Sequence, residues 1–235
     1  EWRDRVMISR KEDQFISPNN NFVWFTGIVE DVSDPLFMNR VRVRCIGYHT
    51  SDKGVLPTDK LPWATVMMPN TSSSYKGFGS NHELMVESWV VGFFRDGPSA
   101  QDAVILGSIT SSTDGTIDIP VEAQLNPPTN KVHKTEAGHL VEFDNTTGAE
   151  RIHIRHTSGT YILMHPNGDV EHNNSNHIKI TTGDDTVTIS GNSNVTINGD
   201  CNLTVGGNYA ADVTGNIDLN AGGNVSITGA RIDLN

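Results

Sequence analysis

Cysteine is scarce in this chain: Cys45 and Cys201 are the only two in 235 residues. They fall in segments of different character, so no disulfide between them is expected, and each reads as a small buried hydrophobe. Long apolar runs are missing too. No stretch approaches the ~18 to 20 residues that cross a bilayer as a helix, and the opening Glu1-Trp2-Arg3-Asp4-Arg5 lacks the apolar core of a secretion signal. A soluble product of the cytoplasm is therefore expected. Positive charge is also short: 17 Lys and Arg against 28 Asp and Glu give a formal net charge of −11, which disfavours nucleic acid and anionic lipid as electrostatic partners. Beyond Gly183 the only cation is Arg231 and the only aromatic is Tyr209, so that region offers neither a basic patch nor a stacking surface. Hydrophobic residues make up 36% of the chain, which is little for a thick globular core but enough for a thin one.

What the chain has instead is a repeat. Glycine returns every eighth residue at Gly183, Gly191, Gly199, Gly207, Gly215 and Gly223, each followed by Asn or Asp. Between these glycines lie alternating apolar pairs: Val187 and Ile189, Val195 and Ile197, Leu203 and Val205, Ala211 and Val213, Leu219 and Ala221, then Val225 and Ile227. Apolar residues alternating with small polar ones mark a strand with one buried face. The Gly-Asn or Gly-Asp pair supplies a corner through its tolerance of left-handed backbone angles. Each octad is thus a short strand plus a corner, and a stack of octads is a β-solenoid. A strand of five or six residues is only about 17 to 20 Å long, so a three-faced prism needs three octads per layer. The repeat runs to Asn235 without the loops or caps that protect single-chain solenoids. Three intertwined identical chains are expected, each octad adding ~4.8 Å of length to a narrow triangular needle.

Between Phe22 and Ser108 the chain reads as five short strands: Trp24 to Val32, Arg40 to Cys45, Trp63 to Met68, Trp89 to Phe94 and Ala103 to Gly107. Five short strands joined by glycine- and proline-bearing loops fit an OB-fold barrel. Arg40, Arg42 and Arg44 alternate with Val41, Val43 and Cys45, placing cations on one face. Without exposed aromatics for base stacking, that row is expected to meet an acidic protein partner or a neighbouring subunit. The expected fold is therefore all-β, an N-terminal OB-fold barrel followed by a C-terminal intertwined triple-stranded β-helix in a homotrimer. Its segments are an N-terminal arm over 1–21, the OB-fold domain over 22–110, a linker over 111–130 and the needle over 131–235.

The motifs add a family resemblance. The run Trp24-Phe25-Thr26-Gly27-Ile28-Val29-Glu30-Asp31, then Asp34-Pro35-Leu36, Asn39 to Arg44, Leu61-Pro62-Trp63 and Ile105-Leu106-Gly107 resembles the OB domain of the cell-puncturing spike proteins of T-even-like contractile-tailed phages. Lys134 to His139, Gly148 to Ile154 and Ser158 to Tyr161 resemble the start of that family's trimeric β-helix, which the octads complete. Asn39 stands where such proteins often carry Gly, a mild change because Asn accepts the same turn geometry. The best-known member carries a lysozyme domain between barrel and needle, whereas here only Ser111 to Asn130 join them. Asp114, Asp118 and Glu122 in that connector do not form the positioned pair that glycoside hydrolysis requires, so no enzymatic activity is expected. The resemblance implies a structural central spike of a phage tail baseplate, carried in the virion and made in the host cytoplasm. It also implies docking under a hub ring through the barrels and transient contact with the host outer membrane when the sheath contracts.

Seven of nine histidines lie between His133 and His177. His156 shares strand parity with Ile152 and Ile154, and three copies around a threefold axis would offer a metal three imidazoles; no other cofactor is expected. The His-x-His iron motif of self-sharpened spikes is missing from the final residues, so Ile232, Leu234 and Asn235 are expected to be capped by a tip protein of the PAAR-repeat kind. Other readings are a type VI secretion-like spike, or a carbohydrate-binding β-helix tail protein needing aromatics or acidic pairs on its solenoid face.

Overall fold

A computed structural model of the chain describes residues 22–113 and 115–232. The chain divides into two units, with the boundary between His177 and Ile178.

The first unit opens with a closed barrel. Strands β1 (Val23–Asp31), β2 (Val41–Cys45), β3 (Trp63–Val66), β4 (Trp89–Phe94) and β5 (Ala103–Ser108) are ordered β1-β2-β3-β5-β4 around it. All ladders are antiparallel except β3–β5, which pairs Thr65 with Val104 and Val66 with Ile105 in parallel. The alternation seen in the sequence places Phe25 and Val29 of β1, Val41 and Val43 of β2, Val90 and Phe94 of β4 and Ile105 of β5 in one buried core. Side chains of the opposite parity face outward, as period-2 geometry requires. β3 is shorter than the run to Met68 suggested. Met67 continues through one backbone hydrogen bond, its N–H donating to Ile105 O at 2.9 Å. Pro69 has no N–H to give.

Gly92 is where two layers of the barrel close on each other. A Cβ at this position would lie 2.2 Å from Val104 O and 2.6 Å from Phe25 Cζ, both inside the packed wall. Asn39, read as a substitute for glycine, does adopt the left-handed region, with φ of 58°.

After the barrel come a short hairpin, β6 (Ser112–Thr113) with β7 (Thr116–Ile117), and a one-turn 3₁₀ helix over Val121–Ala123. Expected as a plain linker, this connection is held in place. Lys134 Nζ donates to Glu122 Oε1 at 2.9 Å, and Arg155 Nη2 lies 3.7 Å from the same oxygen. A five-stranded antiparallel meander follows: β8 (Asn130–Lys134), β9 (Leu140–Asp144), β10 (Arg151–Arg155), β11 (Tyr161–Met164) and β12 (Val170–Asn173).

The second unit is extended chain with backbone bends at 182–183, 190–191, 198–199, 206–207, 214–215 and 222–223, the octad period. Among the described residues, no β-ladder includes a residue beyond Asn173. One expectation about this region needs correction. None of the octad-leading glycines has a left-handed φ, and a Cβ added to any of them meets nothing within 4 Å. Corner geometry in this chain therefore does not call for glycine. Cys201 is exposed in the single chain, whereas Cys45 is buried in the barrel.

Gly92→Ala is expected to cost the barrel about 2 to 4 kcal/mol through overpacking against backbone that cannot yield. Chemical denaturation followed by tryptophan fluorescence measures it. An unchanged barrel transition would mean that the β4–β5 wall can open at no cost.

Candidate interaction surfaces

The arginine row is spent inside the chain. Arg40 grips Asp34 with two hydrogen bonds, Nη2 to Oδ1 at 2.6 Å and Nε to Oδ2 at 3.0 Å. The same carboxylate accepts the backbone N–H groups of Leu36, Met38 and Arg40. Together these donors hold Asp34 well below the usual carboxylate range, the Arg40 guanidinium foremost, although burial opposes them. The outcome is a β1–β2 loop organised around one buried anion. Arg42 lies 4.4 Å over the Trp63 ring and donates Nη1 to the carbonyls of Asp59 and Leu61. Arg44 pairs with Glu30 at 2.8 Å and 3.0 Å and also donates to Thr50 O and Leu56 O. Arg42 and Arg44 thus lace down the long β2–β3 connection, whose carbonyls have no ladder to join. Expected as an outward cationic face, the row instead shapes the loops. The sequence signal for this was present in Glu30, Asp31 and Asp34 on the preceding strand and turn.

The Phe22, Trp24 and Phe93 rings cluster on the outside of the barrel, Phe22 lying 4.8 Å from Trp24 and 4.9 Å from Phe93 between centroids. The expected absence of exposed aromatics therefore does not hold for the barrel. The loop held by Asp34 also presents apolar side chains: Leu36, Phe37 and Met38 are exposed, Phe37 at 96% and with φ of 54°.

The meander is inverted relative to an ordinary surface sheet. Register places Val141 beside Ile154, Phe143 beside Ile152, and Met164 between Ile152 and Val170 on one face. Of these, Phe143, Ile154, Met164 and Val170 are exposed. The opposite face carries charge, with Glu142 and Asp144 buried and Arg151 exposed. Glu142, 2% exposed, accepts from Asn130 Nδ2 at 2.6 Å and pairs with Arg151 at 3.2 Å, which also reaches Asp144. His153 Nδ1 stands 3.7 Å from Glu142, and burial lowers the pKa of its ring.

His156 sits past the end of β10, in the turn to β11. Its Nδ1 accepts the Ser158 backbone N–H at 3.1 Å, so the neutral ring carries its proton on Nε2 and has no lone pair to offer a metal there. Its nearest histidine is His139, 4.5 Å away between ring centroids. Among the described residues no three His, Cys, Asp or Glu side chains are grouped to hold an ion. Of the connector carboxylates, Glu122 is paired as described and lowered in pKa chiefly by Lys134, Asp118 accepts the Ser111 N–H at 2.7 Å, and Asp114 lies outside the described residues. Of the tip residues, Ile232 is exposed, whereas Leu234 and Asn235 lie outside the described residues, as does the 1–21 arm.

The octads form the most extensive apolar surface. At the fifth position Val187, Val195, Leu203 and Leu219 are 70–79% exposed, and at the seventh Ile189, Ile197, Val205 and Val213 are 44–53% exposed.

A pH dependence follows from Glu30. Arg44 above all, then Thr58 and Lys53, pull its pKa from 4.5 to about 2 against the opposing effect of burial. A depressed carboxylate contributes stability that is present above its unfolded value near 4.5 and is lost as pH falls toward 2. Glu30→Gln is therefore expected to lower barrel stability at pH 7 and to flatten the loss between pH 4.5 and 2, as read by denaturation at a series of pH values. An acid limb as steep as in the native chain would refute the assignment.

Comparison with known proteins bears on these surfaces. The family model described as the Gp5 N-terminal OB domain matches residues 47–177, from the β2–β3 connection through β12; β1 and β2 lie upstream of the match. Protein Gp5 of Vibrio phage KVP40 is 26% identical over 240 residues, covering 63% of this chain and 56% of that protein. The pre-baseplate central spike protein Gp5 of Enterobacteria phage T4 is 43% identical over 84 residues, covering 33% of this chain and 15% of that protein. The chain thus spans about half the length of one curated relative and a small part of the other. With more than half of its residues inside that match and a closed five-strand barrel at its head, the chain belongs to the Gp5 family of T4-like central spike proteins.

Proposed function

We propose that this chain is the structural central spike of a contractile phage tail baseplate, a homotrimer whose octads wind into one triple-stranded β-helix and whose action is mechanical. One observation carries the reading. Across the second unit, two alternating side chains per period, apolar in nearly every octad, are left uncovered, while the period-leading glycines answer no demand of their own chain. An exposed apolar row of this regularity is a surface awaiting a partner. Identical copies supply one with the same period, and a close neighbour also explains glycine where the single chain has room for any side chain. The exposed apolar face of the meander, Val141 to Val170, points to the same requirement. On this reading the needle begins at the meander, near residue 131, and the barrel occupies 22–110.

The assembly follows from chemistry already described. Interlocked chains cannot separate without unpairing from both neighbours, so unfolding is slow and the rod stays stiff under load. Sheath contraction drives it through the host outer membrane, and no bond in the envelope is cut by this chain. The barrels dock on a hub ring through loops that Arg40, Arg42 and Arg44 hold in shape. Ile232, Leu234 and Asn235 meet a PAAR-repeat-like tip protein, and the spike is carried in the virion.

Light scattering is expected to give three times the chain's 25.6 kDa, with a band on an unheated denaturing gel that collapses to monomer on boiling. Ile197→Asp is expected to abolish that band, since three unpaired carboxylates in a thin apolar core cost far more than the core gains. A native chain with the mass of one copy would overturn the spike reading in favour of a single-chain binding module.

A further inference from the structure

We infer that each barrel carries a knob and a socket that join it to the next copy of the chain: the loop Leu36-Phe37-Met38 of one copy seats in the groove beside Trp89 of its neighbour. This rests on the homotrimer reading and adds a second, barrel-level contact to it.

The knob is built to protrude. Phe37 is 96% exposed and holds a φ of 54°, a conformation that costs a non-glycine residue energy and persists only where its surroundings impose it. The surroundings here are the Asp34 carboxylate, which takes the N–H groups of Leu36 and Met38 on either side of Phe37 and is itself clamped by Arg40. Asn39 Nδ2 also donates to Asn81 Oδ1 at 2.9 Å, tying the loop to the β3–β4 connection. An apolar side chain fixed in the open by several hydrogen bonds has already met the ordering cost of binding, as interface anchors do.

The socket lies on the same barrel. A groove of about 740 Å³ is lined by Ile28, Ile46, Val86 and Trp89, with the Glu30–Arg44 pair among its walls. Ile46 and Val86 are exposed, so the chain's own Phe37 does not fill it. Covering the groove strands neither charge of its central pair: Arg44 is satisfied by Glu30, Thr50 O and Leu56 O, and Glu30 by Arg44, Thr58 and Lys53, while Glu87, also in the lining, is exposed. An apolar plug over a paired, hydrogen-bonded floor avoids the desolvation penalty that an open ion would impose. Knob and socket are different patches of one surface, so the contact is heterologous, and three such contacts close a ring. A second copy is the occupant because it brings both halves in equal number and because the octads already call for identical copies at close range.

The experiment replaces Phe37 by p-benzoylphenylalanine (Phe37→Bpa) in the full chain. On irradiation the benzophenone carbonyl takes hydrogen from a neighbouring C–H and the two carbon radicals join, leaving a covalent link and a tertiary alcohol. Expected is a boiled-gel shift from monomer to covalent dimer and trimer, with the linked peptide containing Ile46, Val86 or Trp89. Val86→Bpa is expected to link back to the peptide containing Leu36 to Met38. Light scattering on the same samples separates the readings. A trimer that yields no covalent ladder, or links elsewhere, overturns the knob and socket alone. A monomer overturns the spike reading, and this contact with it.

Discussion

An eight-residue period that leaves alternating apolar side chains without cover is the constraint on which the second unit depends. A strand in a globular domain buries one face against its own chain, and the barrel does so with Phe25, Val29 and Val90. The octads have no such layer. Their stability has to come from outside the chain, and whatever supplies it must repeat at the same interval along some 50 residues. Few partners other than the chain itself meet that condition. Scarcity of aromatics and charge beyond Gly183 suits the proposed needle, whose thin core would have no room for large rings and no water for ions.

Charge in the first unit works locally. Glu30, Asp34 and Glu142 each sit close to an arginine and to neutral donors, and the arginines in turn gather carbonyls that would otherwise lack partners. Excess negative charge is therefore not spread evenly over reactive positions; much of it is tied into loops and into the polar face of the meander. That polar face is why the meander's apolar side is turned outward. With Glu142 and Asp144 buried on one side of the sheet, the register leaves the aliphatic rows no other direction in which to point.

The sequence made some of this legible and concealed the rest for physical reasons. Barrel strands were readable because period-2 alternation is local: Trp89–Phe94 matches residue for residue, β1 shifts by one at each end, and β2 and β5 differ by one at a single end. The trend of the octads was equally plain. What alternation cannot tell is which face a strand buries, since that depends on what packs above it. The arginine face of β2 was therefore read as open, although the loops cover it: Arg42 finds carbonyls some 17 to 19 residues away, partners that no local pattern reveals. In the meander, Glu142 likewise finds Asn130 twelve residues before it. His156 lies one residue past Arg155, the end of β10, where strand parity alone no longer says which way a side chain points.

β3 sets how the barrel comes apart. β1 and β4 pair along six residues, from Val23↔Phe94 to Ile28↔Trp89, whereas β3 is held to β2 by Val41↔Ala64 and Arg42↔Trp63 and to β5 by Thr65↔Val104 and Val66↔Ile105. Local opening begins where ladders are shortest. β3 is therefore the strand that loosens first, leaving β2, β1, β4 and β5 joined by their longer ladders as an open sheet.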